Sequence, residues 1–201
     1  QIQHLHFVVD IDIKGFFDNV NHSKLIRQIW SMGIRDKKLI CVIKQMLKAP
    51  IVMPDGTIIK PDKGTPQGGI LSPILANIVM NELDWWISSQ WETMPTHTQY
   101  KPHISKNGTI SCANKFRVLQ ESKLKEMYIV RYADDFKIFC RKRSDADKIF
   151  VAVKKWLKER LKFDISEEKS RVVNLKKKSS EFLGFELKAV RKAKKYVVQS
   201  H

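Results

Sequence analysis

Apolar and polar residues alternate at the start of the chain. In "HLHFVVDIDIK" (residues 4–14), Phe7, Val9, Ile11 and Ile13 fall on one side of an extended segment, and Val8, Asp10, Asp12 and Lys14 on the other. A strand with carboxylates on one face is predicted. The period then becomes helical: Leu25, Ile26, Ile29 and Trp30 mark the inward face of a helix over 23–32 that Gly33 stops. Leu39, Ile40, Ile43 and Leu47 mark the inward face of a second helix over 36–48. "IVMPDGTIIK" (51–60) predicts a hairpin turning at Pro54, Asp55 and Gly56. Ser72 as N-cap, with Pro73 in the first turn, opens a third helix that runs to about residue 89. Residues 92–127 are polar and irregular, hold Pro95, Pro102 and Gly108, and read as an insertion or long connection.

Two β-branched and aromatic runs, 128–132 and 136–140, meet at Ala133, Asp134 and Asp135 and predict another hairpin. Ser144 with Asp147 resembles a capping box without its usual Glu, and opens a helix with Ile149, Phe150, Val153, Leu157 and Leu161 inward and a Lys-rich outer face. "RVVNL", "EFLGFELKAV" and "KYVVQS" read as short strands. Helices and strands mix without strict βαβ alternation, so the expected class is α+β: an antiparallel sheet covered by helices on one face.

A length of 201 residues, 43% of them hydrophobic, suits one domain with a real core. No apolar run approaches the roughly 20 residues of a membrane span, and the N-terminus lacks a basic segment followed by an apolar signal core. No membrane association is therefore expected. The chain starts without Met and enters a strand at once, which leads us to expect a piece of a longer protein. Cys41, Cys112 and Cys140 have no metal-type spacing and predict a reduced, intracellular setting. His97 and His103, with Cys112, fit no zinc pattern.

The net charge of +16 is unevenly placed: residues 1–100 hold 10 Lys/Arg against 9 Asp/Glu, and residues 101–201 hold 27 against 12. Lys176, Lys177 and Lys178, and Arg191, Lys192, Lys194 and Lys195, form dense clusters in the basic half. A polyanion is the natural partner, with a solvated, solubilising surface as the alternative.

Asp134 and Asp135 raise a sharper problem. Two unit charges about 4 Å apart cost roughly 1 kcal/mol in water and about 4 kcal/mol at an effective dielectric near 20. Solvent exposure, protonation of one carboxyl, or a bound cation would each offset that cost. If Asp12 projects beside the pair, one proton cannot neutralise three carboxylates. An oxygen-only site then favours Mg²⁺, with Mn²⁺ able to substitute, over Zn²⁺.

"DIKGFFDNV", "GTPQGGILSPILANIVMNELD", "RYADDF", "SEEKS" and "FLGF" occur in this order. Together they resemble the palm motifs of reverse transcriptases, most closely those encoded by group II introns and known as maturases. The resemblance implies an RNA-directed DNA polymerase palm with part of the fingers over residues 1–201, the N-terminal fingers and C-terminal thumb lying outside it. It implies two Mg²⁺ ions held by Asp12, the carbonyl of Ile13, Asp134 and Asp135. It assigns Phe17 to exclusion of a 2′-hydroxyl, Gln67 and Gly68 to the nucleotide pocket, and Lys169 to the triphosphate. Leu183, Gly184 and Phe185 match the primer-grip turn. Asp10 and Asp18 carry no implied metal role and are expected to make local hydrogen bonds. The implied partners are group II intron RNA, an RNA template, a DNA primer and deoxynucleotide triphosphates, in a bacterial cytoplasm. Two other readings stay open: an intron-RNA-binding module without polymerase activity, and a retron or defence-type reverse transcriptase.

Overall fold

The computed structural model describes residues 4–66, 68–192 and 195–200. Its centre is a four-stranded antiparallel sheet of β1 (Phe7–Ile11), β6 (Met127–Tyr132), β7 (Asp135–Cys140) and β8 (Arg171–Asn174), in the order β6-β7-β1-β8. Between β1 and β6 run a short 3-10 turn (Phe17–Asn19), α1 (His22–Ser31), α2 (Lys37–Leu47), the hairpin β2 (Ile51–Val52) and β3 (Ile58–Ile59), and α3 (Ser72–Gln90). The polar segment 92–127 carries a second hairpin, β4 (His103–Ile104) and β5 (Ile110–Ser111), and α4 (Ala113–Glu121). Past β7 come α5 (Arg143–Trp156), a π-helical last turn (Leu157–Leu161) and β8. The chain then builds a separate three-stranded sheet from β9 (Ser180–Phe182), β10 (Phe185–Lys192) and β11 (Lys195–Ser200), in the order β11-β10-β9.

Register explains the division of labour between the two faces of the central sheet. Val9 pairs with Ile138 and Ile11 with Phe136, all four fully buried, while α5 packs across β1, β7 and β8 and α3 against β6. The opposite face carries Asp10 opposite both Lys137 and Arg171. Val8, Phe139 and Val173 share that second face and are also buried. The second sheet adds Leu187, Ala189 and Val198 to the same core, and is tied on where Ala189 N donates to Leu175 O at 3.0 Å and Leu175 N to His6 O at 2.8 Å.

Four local expectations change. Trp30 and Leu39 are 43% and 46% exposed rather than inward, because α1 and α2 bury only the stripes His22/Leu25/Ile29 and Ile40/Ile43/Leu47. Ser72 lies inside the first turn of α3, which Leu71 caps, and its hydroxyl turns back to donate to Pro66 O at 2.5 Å. Lys142 rather than Ser144 caps α5, and Asp147 is engaged by Arg143 Nε at 2.9 Å, one turn earlier. Among the described residues, no helix is long and apolar enough to cross a membrane.

Candidate active site

The β6–β7 hairpin closes on the pair Tyr132 and Asp135, leaving Ala133 and Asp134 as its two turn residues. Strand alternation puts Asp135 on the same side as Lys137, and therefore as Asp10, and carries Asp12 to that side as β1 runs out. The carboxylates so share the face turned away from α3 and α5. Burial pushes the Asp135 carboxyl above the ordinary carboxylate range; Lys137 opposes the rise, and Asp10, Asp134 and Asp12 add to it.

Asp12 is held by its backbone, its N–H donating to Ser170 Oγ at 3.1 Å and its carbonyl accepting from Ser166 N at 2.8 Å. Ile13 forms an antiparallel bridge with Ile165, so the 164–170 loop fixes the end of β1. Among the described residues, no three His, Cys, Asp or Glu side chains are gathered closely enough to hold a metal ion. The three predicted acids thus share one electrostatic neighbourhood without forming a finished cage. The donors are all oxygens, and burial, with the neighbouring acids adding to it, leaves Asp135 reluctant to ionise, so this donor set suits a hard divalent cation.

Asp10 differs from its neighbours. Lys137 Nζ donates to its Oδ1 at 2.7 Å and Ser180 Oγ to its Oδ2 at 3.0 Å, while Lys137 lies 5.7 Å from the Phe182 ring centre. Lys137 is almost fully buried, so its charge needs that partner. Asp10 therefore ties the second sheet to the first through partners distant in sequence, where local hydrogen bonds were expected.

The hairpin joining β9 and β10 turns at Leu183 (φ 54°) and Gly184 (φ 78°), both left-handed, with Phe182 opposite Phe185. Leu183 and Phe185 stand exposed at its tip. Lys169 Nζ lies 3.9 Å from Asp12 Oδ2, a solvated contact between a 74% exposed lysine and a half-exposed acid that contributes little stability. Gly68 has φ +77° and open space where a Cβ would sit. Gln67 and Lys194 lie outside the described residues. Phe17 is partly buried, its ring edge-on to Phe16 at 5.3 Å. Lys176, Lys177 and Lys178 occupy an exposed turn after β8, where Lys176 Nζ sits 4.4 Å from the Tyr196 ring centre. Arg191 is exposed on β10, and Lys192 pairs in register with Lys195 on β11.

Arg131 is a residue that pattern reading overlooked. Its Nε and Nη2 donate to the two oxygens of Asp84 on α3 at 2.9 and 2.5 Å, and its Nη1 to Asn77 Oδ1 at 2.8 Å and to Ala133 O at 2.7 Å. Ala133 has φ 54°, a conformation that costs a non-glycine residue about 1–2 kcal/mol. The guanidinium thus pins a strained turn to the helix layer. A cation inside an apolar strand was the available signal.

Residues 1–187 match the family described as Reverse transcriptase (RNA-dependent DNA polymerase). The chain is 32% identical over 91% of its length to the group II intron-encoded protein LtrA of Lactococcus lactis, covering 35% of that protein. It is 38% identical over half its length to an uncharacterized 91 kDa protein in the cob intron of Schizosaccharomyces pombe, covering 12% of it. The chain therefore spans about a third or less of these relatives. Among solved structures, the apo telomerase of Candida tropicalis truncated from the C-terminal domain overlays 97% of the chain with a TM-score of 0.61 at 16% identity, covering 35% of that protein, a likeness of fold.

Proposed function

We propose, for a chain that belongs to the reverse transcriptase (RNA-dependent DNA polymerase) family, that it is the palm, with associated finger elements, of a group II intron-type enzyme that extends a DNA primer on an RNA template. The observation that supports this most is the shared electrostatic neighbourhood of Asp12, Asp134 and Asp135, with Asp135 pushed up by burial and by the other acids. Asp12, the Ile13 carbonyl, Asp134 and Asp135 would hold two Mg²⁺ ions. Bound there, the cations supply charge stabilisation for in-line displacement of pyrophosphate by the primer 3′-hydroxyl.

The chain's own residues do the rest. Phe17 packs beneath the sugar, Gln67 and Gly68 serve the pocket for the incoming deoxynucleotide triphosphate, and Lys169, within reach of Asp12, carries a proton toward the leaving pyrophosphate. The exposed Leu183-Gly184-Phe185 tip bears on the primer strand. The exposed basic turn and Arg191 contact intron RNA and support splicing. Lys192, Lys194 and Lys195 extend that contact. Three free thiols among the described residues agree with a reducing, intracellular setting, which we place in the bacterial cytoplasm.

Primer extension on an RNA template by the longest natural protein carrying these residues tests the reading, with and without Mg²⁺. Cation-dependent synthesis is expected. Intron RNA binding and splicing assistance without any synthesis would favour an RNA-binding module, the reading that the basic excess of 27 against 12 in residues 101–201 also fits.

Phe17→Val should admit ribonucleotides while leaving the acids untouched, lowering the deoxy-to-ribo preference at least about tenfold, as loss of a close steric contact does; an unchanged preference in an active variant removes Phe17 from the gate. Changing Lys176, Lys177 and Lys178 together to Gln should flatten the plot of log RNA affinity against log salt by up to about three phosphate contacts' worth of released counterions. An unchanged slope and affinity assigns the run to a solvated surface.

A further inference from the structure

One buried histidine has no part in the carboxylate site or the basic surface. His22, the first residue of α1, is 8% exposed, and its Nε2 lies 2.6 Å from Gly64 O. A carbonyl only accepts, so Nε2 carries the proton and donates. The other ring nitrogen, Nδ1, is buried without a partner. Gly64 N in turn donates to Val20 O, and Thr65 N to Phe17 O, each at 2.7 Å. Three consecutive bonds join residues 64–65 to the segment 17–22.

The fit leaves no slack. Gly64 has φ +92°, and a Cβ there would come within 3.1 Å of both Phe17 O and Asp18 O, so the two backbones touch directly. Thr65 is buried beside them, its hydroxyl oxygen without a partner. The residue whose carbonyl receives the Thr65 amide is the one that carries the gating ring. The 64–65 loop therefore bears directly on the Phe17 backbone.

We infer that His22 is a positioning residue for sugar selection: by donating from Nε2 to Gly64 O it holds the 64–65 loop against the Phe17 carbonyl, so that the Phe17 ring cannot retreat from a 2′-hydroxyl. The inference rests on the polymerase reading above. It extends sugar selection from one ring to a buried hydrogen bond that the ring never touches.

Three substitutions separate positioning from packing. His22→Gln places an amide donor near Nε2; His22→Asn places it near Nδ1, short of Gly64; His22→Leu has no donor. In the 201-residue chain, Leu and Asn should speed hydrogen exchange at the Gly64 and Thr65 amides about tenfold or more, the usual consequence of leaving a buried carbonyl unpaired, and Gln should not. In primer extension, Leu and Asn should lose about tenfold in deoxy-to-ribo preference through KM for the nucleotide, and Gln should restore it. Unchanged exchange in Leu and Asn overturns the inference, as does faster exchange with unchanged preference in active enzyme. Should the wild-type protein never extend primers, the polymerase reading falls, and the exchange pattern still decides whether His22 is the clamp.

Discussion

Replacing Asp135 with Asn is expected to cut cation-dependent primer extension about a thousandfold, the scale on which a preorganised electrostatic group acts on a transition state, and to raise the melting temperature at neutral pH in the absence of added cation. The stability gain has an electrostatic cause. The Asp135 carboxyl lies above its ordinary range because burial disfavours its charge, with Lys137 opposing and Asp10, Asp134 and Asp12 adding to the rise. A carboxyl with a folded pKa above its unfolded one binds its proton more tightly in the folded chain. Wild-type stability therefore falls as pH rises from the unfolded value, about 3.9 for Asp, through the raised folded value, and the deficit persists above it. Asn carries no such penalty. The gap between variant and wild type should open across that window, stay constant near neutrality, and narrow when Mg²⁺ is added, since only the wild type presents the full set of carboxylates to the cation. Melting curves at several pH values, with and without Mg²⁺, provide the check beside the activity assay. Normal synthesis by the variant sinks the metal-site reading and leaves the acidic pair as an ordinary turn.

That Asp10 and Asp12 share one strand side could be read from the near-alternation in 4–14, whereas the approach of Asp12 to the 134/135 turn could be stated only as a condition, because it depends on β1 lying beside β7. Helix positions were legible because apolar spacing reports the rotation of a helix about its own axis. It does not report whether a second apolar stripe meets a neighbour, which is why Trp30 and Leu39 were expected inside and lie exposed. Long-range polar partners were equally hidden. Asp10 meets Lys137 across 127 positions, Arg131 meets Asp84 across 47, and His22 meets Gly64 across 42. No periodicity encodes such pairs. They follow from strand order and from loops that pack backbone on backbone, both products of the assembled fold.

Arg131→Met should lower stability by about 2 kcal/mol. Breaking a buried ion pair by removing one partner costs about 3–5 kcal/mol, and Asp84, at 31% exposure against 12% for Arg131, recovers part of its hydration. For a domain of this size about 2 kcal/mol corresponds to roughly 4–8 °C in melting temperature. The effect on synthesis should be larger than the stability loss implies, because Arg131 also holds the Ala133 carbonyl at 2.7 Å and thereby the left-handed turn that presents Asp134. A drop of about ten- to a hundredfold is expected, as misplacement of a reacting group by about 1 Å gives. Arg131→Lys should not rescue either property, since a single ammonium cannot span both Asp84 oxygens, Asn77 and Ala133 as a planar fork does. Adding Ala133→Gly to the Met variant should recover part of the synthesis, because glycine enters the left-handed region without the Cβ penalty and the turn then needs less support. Wild-type melting and wild-type synthesis by Arg131→Met would show that the turn holds itself and that the guanidinium is a surface contact; rescue by Lys would show that charge alone suffices.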